Sequence, residues 1–331
     1  MQSDLSKTTL NNGRFKSPQR ILTIIILLAL AATGIFLLEG LNTGNFDFNF
    51  PRRLGKVWAM YLVSICIGYS SVVFQTITEN RILTPSVLGL DKLYLFIQTA
   101  VVFLFGAQKL ILMQGNEEFL LSSVIMIGAS LLLFRTIFTG EGRNVYVLVL
   151  VGIVLGEFFS GLSSFMQVLI DPNEFAILQG KMFASFNVIN VNLLLITTIV
   201  AFIAYLASLR DISKFDVLSL GKETAIGLGI HYNSLVSRTM LFIAVMVSVS
   251  TVLVGPITFL GILLASLSRQ LLKTYRHTYL TSGAIWIGIF ALVTGQFVVE
   301  RLLNFNTNLS VILNFIGGTY FIFILLKESR K

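Results

Sequence analysis

The stretch SKFDVLSLGKETAIGLGIH, Ser213 to His231, is polar where its surroundings are not. Long apolar runs flank it on both sides. Within it, Lys214, Asp216, Lys222, Glu223 and His231 alternate with a few apolar residues. The pattern predicts two short helices. Ser213 with Asp216 three residues later resembles a capping box. Gly221 interrupts the pattern and is placed to cap the first helix. Leu218, Leu220, Ala225 and Leu228 are expected to form an apolar side at helical spacing. Such a pair can lie on a lipid surface, dock into another protein, or simply connect spans.

Working outward, the chain of 331 residues is 55% hydrophobic and 12% charged. A soluble domain carries about 25% charged residues. The shortfall, with repeated apolar runs of about 20 residues, predicts an all-α polytopic membrane protein. Ten spans are expected, at 21–38, 57–77, 93–106, 119–137, 145–169, 191–208, 239–254, 257–272, 279–299 and 309–326. The polar hairpin lies between the sixth and the seventh. Residues 1–20 read as a polar tail, and 21–331 as one transmembrane domain, with the helix pair at 213–231.

The net charge of +8 raises nucleic acid as a partner, but the distribution of charge argues for a bilayer instead. With the N-terminus inside, only Arg52, Arg53, Lys56, Lys109, Lys181 and Arg301 of the 24 Lys and Arg fall in outer loops. Cytoplasmic loops carry the basic excess in membrane proteins. Both termini and the 213–231 hairpin are therefore expected in the cytoplasm.

Inside the spans, Gln75 requires a hydrogen-bond partner. Pro85 and Gly89 break helix before the third span. Gly152, Gly156, Ser160 and Ser164 recur every four residues on one helix face, which permits close helix approach; lining of a pathway is the other reading. Glu157, an acid within a span, either handles a proton or substrate or only pairs with a hydroxyl or a buried base. His231 and His277 fall in expected loops, and Cys66 is alone. Thus a carrier of bare transition metal finds too few ligands. There is no HExxH, GxSxG or GxxxxGK[ST], so if ATP drives this protein, another chain binds it. Arg52, Arg53 and Arg301 either snorkel to lipid phosphates or meet carboxylates of a docking partner.

Four segments together resemble the iron–siderophore and cobalamin ABC permease family of FecCD type, from about Ile21 onward. Gln75, Asn80, Pro85, Leu88 and Gly89 fit one motif, although Arg81 to Thr84 replace its central P-L-A-D. Leu220-Gly221, Ala225 and Leu228-Gly229 fit a second. Gly255-Pro256-Ile257, Phe259, Gly261 and Arg269 fit a third, with Ala265-Ser266 for the usual Pro-His. Gly317 and Phe321 to Leu325 fit a fourth, with Thr319 for proline. The runs QGKMFASFN (Gln179–Asn187) and TPSVLGLDKLY look like permeases of the Gram-positive catecholate, petrobactin-like branch.

The resemblance implies a type II ABC importer permease in a bacterial plasma membrane. It implies a half-transporter that pairs with an identical or paralogous subunit, two ATPases and an extracytoplasmic siderophore-binding protein. ATP and Mg would be held by the ATPases and no cofactor by this chain. Leu220, Gly221, Glu223, Ala225, Leu228 and Gly229 become ATPase-coupling residues. Arg52, Arg53 and Arg301 become binding-protein contacts. Gln75, Asn80, Pro85, Gly89, Gly152, Gly156, Glu157 and Ser160 become path or packing residues. Cobalamin or haem is the alternative cargo, and an ion-coupled carrier with Glu157 as proton site is the alternative class.

Overall fold

In a membrane, every backbone N–H and C=O must be satisfied internally, so apolar runs of this length can only become helices or close a barrel. The computed structural model describes residues 17–40, 46–106, 116–138, 145–187 and 191–328, and among these it forms thirteen α-helices. They are α1 (Pro18–Leu38), α2 (Phe46–Ile77), α3 (Leu90–Phe105), α4 (Asn116–Phe138), α5 (Val145–Leu169), α6 (Pro172–Lys181), α7 (Val191–Leu209), α8 (Ile212–Leu218), α9 (Lys222–Gly227), α10 (Tyr232–Val254), α11 (Leu260–Leu272), α12 (His277–Arg301) and α13 (Leu309–Glu328). A 3-10 turn, Pro85–Leu88, precedes α3.

Each expected span falls on a helix. However, only five described helices are long and apolar enough to cross a bilayer unaided, so the structure does not establish ten crossings. The reason is length: α11 has 13 residues, about 20 Å at 1.5 Å per residue, against a hydrocarbon core of about 30 Å. The second span begins earlier than expected, which places Arg52 and Arg53 inside α2 rather than ahead of it. Gly255, at φ 95°, ends α10, and α11 starts afresh after the Pro256 turn rather than continuing as one bent rod. Helix α6 was not foreseen; the Asp171 side chain caps it by accepting from the Asn173 amide. Most of the expected tail, along with Lys109 and Arg143, lies outside the described residues.

The centre of the bundle is α2, α10 and α12, each more than half buried, while α1 and α5 are mostly exposed. Lipid tails are as apolar as leucine, so burial alone does not hold such helices together; close packing of small residues does. At Gly68 on α2, an added Cβ would sit 3.1 Å from the backbone of Ala284 and Ile285 on α12. The leucines, isoleucines and phenylalanines left outside on α1, α7 and α13 face outward, where acyl chains can solvate them. Some hydroxyls within spans are satisfied locally: Ser64 donates to the Met60 carbonyl and Thr197 to that of Leu193, whereas Ser70, Ser71, Ser248 and Ser250 are buried with no partner among the described residues.

Candidate functional site

Among the described residues, the ion pairs lie at the two ends of the bundle and at one place along its side. At the end where α1 finishes and α2 begins, the last carbonyls of α1 lack intrahelical partners. Arg53 supplies them: its Nη1 donates to the carbonyls of Phe36, Leu37 and Glu39 at 3.3, 3.2 and 2.6 Å. Arg301 Nη2 adds a bond to the Glu39 carbonyl at 3.0 Å. A cation at a helix C-terminus also opposes the negative end of the dipole. Two of the three arginines expected to dock a partner are therefore engaged in holding α1. Arg52 lies over the Phe48 ring at 4.3 Å and stays exposed. Beside them Lys56 bonds Glu300 at 2.6 Å, and Gln296 donates to both Glu300 and Asn187 at 2.8 Å. Arg52, Arg53, Lys56, Asn187, Glu300 and Arg301 line a cavity of about 690 Å³. It carries four cations against one acid.

At the opposite end sits the polar hairpin, now α8 and α9. Helix α8 turns 54° from α7. With seven residues it is about 10 Å long, too short to span, and it carries Lys214 and Asp216. The expected capping box does not form. Ser213 lies inside α8, whose N-cap residue is Asp211, and Asp216 bonds across to α12 instead. Gly221, at φ 99°, precedes α9 as its N-cap rather than closing α8, a conformation that favours glycine. The four apolar residues do not share one side either. Leu218 and Ala225 are buried at 1% and 0%, whereas Leu220 and Leu228 are exposed at 62% and 63%. The hairpin thus has an inward anchor and an outward apolar face, to which Ile226 adds. Glu223 and Gly229 are exposed beside it.

Three links fasten this hairpin to the spans, and the sequence pattern gave no sign of them. Asp211, almost fully buried, bonds Lys214 at 2.8 Å and Arg238 of α10 at 2.6 Å. Glu79, just past α2, accepts from the Lys222 amide at 3.1 Å and caps α9. Asp216 accepts from the His277 amide at 2.6 Å and lies 2.7 Å from its Nδ1. His277 is no loop residue: it opens α12 and is 1% exposed.

Along the side, Gly152 and Gly156 of α5 meet the turn before α3. A Cβ on Gly89 would lie 2.8 Å from the Gly152 carbonyl oxygen, and one on Gly152 would lie 2.9 Å from the Leu88 Cα. Gly89 is also at φ 78°, in the left-handed region. These glycines serve backbone-to-backbone packing, with Pro85 buried at the start of the same turn. One turn along, Glu157 bonds Lys92 of α3, and the pair stays exposed, at 67% and 38%. Ser160 is half-buried and its carbonyl accepts from Ser164. Gln75 is 2% exposed, and neither amide atom has a partner among the described residues; its carbonyl accepts the Asn80 amide at 3.2 Å.

An all-helical, multi-pass bundle with a short amphipathic hairpin at one end and a basic cavity at the other has the architecture of a membrane transporter component. The chain belongs to the FecCD transport family, whose model matches residues 18–327. It is 52% identical over 313 residues to the petrobactin import system permease protein YclO of Bacillus subtilis, covering 95% of this chain and 99% of that one. It is 35% identical over 311 residues to the petrobactin import system permease protein FatC of Bacillus anthracis, covering 93% and 88%. In fold it is similar to a solved metal-chelate type ABC transporter in an inward-facing conformation. There the TM-score is 0.78 at 22% identity, over 94% of this chain and all of that one.

Proposed function

We propose that this chain is the membrane-spanning permease subunit of a bacterial ABC importer that carries ferric siderophore of the petrobactin class across the plasma membrane. The observation that carries this reading is the hairpin α8–α9, which presents Leu220, Ile226 and Leu228 to the outside of the bundle in an otherwise polar segment. Exposed leucines on a polar element mark a protein contact. The partner that fits is an ATPase groove, and ATP with Mg belongs to that partner. The likeness to YclO and FatC supports the cargo class over cobalamin or haem.

In this scheme both termini and the hairpin face the cytoplasm, and two permease chains, identical or paralogous, pair around a central path. Two ATPases sit below. A siderophore-binding protein sits above, against the basic cavity, with Arg52 the cation least engaged within the chain. Glu157 and Lys92 belong to the face toward the path or the second subunit, because an exposed ion pair in a span is costly against lipid. Their pairing argues against Glu157 as the proton site of a self-powered carrier. ATP-driven closure of the ATPase dimer would rock the hairpin and with it the spans, exposing the path to each side in turn.

The test is co-purification. Leu220→Glu with Leu228→Glu is expected to cut ATPase recovered with the permease at least tenfold while membrane insertion is unchanged. Equal recovery with wild type would sink the reading.

A further inference from the structure

We propose that Asp216 and His277 form a clasp that delivers hairpin movement to α12 and α2, and that transport depends on it. The inference rests on the hairpin's being the element that meets the ATPase. It adds which residues pass the motion on.

The clasp joins four elements. Asp216 Oδ1 takes both the backbone N–H and the ring Nδ1–H of His277, the first residue of α12. With Nδ1 carrying the proton, neutral imidazole presents Nε2 as an acceptor. Thr76, in the last turn of α2, lies 2.8 Å from Nε2 and can donate to it. A hydroxyl has one proton, so Thr76 then cannot also serve the Val72 carbonyl, 3.1 Å away. Arg269 of α11 fills that role: its Nη2 donates to the Val72 carbonyl at 3.3 Å and reaches Thr76 Oγ1 at 3.5 Å. Asp216, His277, Thr76 and the Val72 carbonyl are thereby satisfied with one proton arrangement, while the buried Arg269 Nε has no partner among the described residues. Phe215, fully buried next to Asp216, packs against the His277 ring at a centroid distance of 6.0 Å.

Helix α8 is a short rigid unit bounded by turns at Asp211 and Ser219. A push on it cannot be absorbed by stretching hydrogen bonds of 2.6 to 2.8 Å, so it is passed to the end of α12 and, through Thr76, to the end of α2. These two helices pack on each other through Gly68, at the centre of the bundle. The other two fastenings reach different places: Glu79 holds α9 from beyond the end of α2, and Asp211 holds α10. Of these three fastenings, the clasp is the one that enters α12. A mere cap on α12 would affect stability but leave the yield of transport per ATP untouched, and this separates the two roles.

The experiment uses the full complex in proteoliposomes, with iron-loaded petrobactin as cargo, and measures ATP hydrolysed and iron delivered together. Asp216→Asn is expected to retain bound ATPase and hydrolysis while iron delivered per ATP falls about tenfold. Asp216→Glu, which restores the carboxylate, is expected to recover part of the loss. Thr76→Val keeps the shape and removes only the hydroxyl, so it tests the α2 arm even if Asp216→Asn accumulates poorly; a several-fold fall is expected. Iron per ATP within twofold of wild type in both Asp216→Asn and Thr76→Val overturns the clasp. So does loss of the ATPase from both, which would make these residues docking elements. Failure of the underlying reading is distinguishable, since it appears as ATPase recovery indifferent to Leu220→Glu and Leu228→Glu.

Discussion

The two ends of the bundle solve the same problem with opposite charges. At the Arg53 end, a helix C-terminus is exposed, and cations hold it: Arg53 and Arg301 converge on the carbonyls of Phe36 to Glu39. At the hairpin end, helix N-termini carry N–H groups without intrahelical partners, and acids hold them: Asp216 caps α12 and Glu79 caps α9. Both follow from the dipole and the unpaired backbone groups of a helix end. The difference lies in what is left over. The first end retains surplus positive charge around a cavity, suited to an acidic surface. The second engages Asp211, Asp216 and Glu79 within the chain and retains exposed leucines, suited to an apolar groove.

This contrast can be broken by substitution. The largest effect is expected at Asp211, which is buried and holds two cations. Asp211→Ala should cost roughly 2 kcal/mol. A thermal melt of the detergent-solubilised protein should fall by about 2–4 °C. No change would mean that the Asp211 pairs contribute nothing to holding the hairpin. Next, Arg52→Glu reverses the cavity cation least engaged within the chain. It should raise the binding-protein concentration for half-maximal uptake about tenfold, near 1.4 kcal/mol, with the melt unchanged. Uptake indifferent to that reversal would remove the cavity from the docking surface.

Arg53→Met comes third. It uncaps α1 and should cost about 1 kcal/mol. Its signature is a lowered melt with binding-protein affinity retained, the reverse of Arg52→Glu; if affinity fell as well, the two arginines would share one role. The smallest effect is expected for Lys214→Met, below about 0.5 kcal/mol, because Lys214 is about half exposed and Arg238 still serves Asp211. A melt as low as that of Asp211→Ala would assign the pairing energy to Lys214 instead.

Much of this was open to reading along the chain. Runs of apolar residues place all ten expected helical segments, because backbone groups in lipid have no other solution. The polar hairpin is legible because Lys214, Asp216, Lys222 and Glu223 interrupt a greasy context. The glycine spacing at 152 and 156 forecasts close approach, and the structure supplies the partner, the Leu88–Gly89 turn. What periodicity could not give was direction. Leu218 and Leu220 are two residues apart, yet one is the anchor and the other faces outward.

Composition and order of residues determined that this chain is a helical membrane protein with a polar hairpin between two groups of apolar helices, since the segregation of apolar runs depends only on local sequence. Tertiary structure alone decided which charges meet. Asp216 and His277 are 61 residues apart, and Lys56 and Glu300 are 244 apart. No local rule links such positions. Their pairing exists because helices α8 and α12, and α2 and α12, are brought side by side, where a charge left without a partner would be too costly to bury.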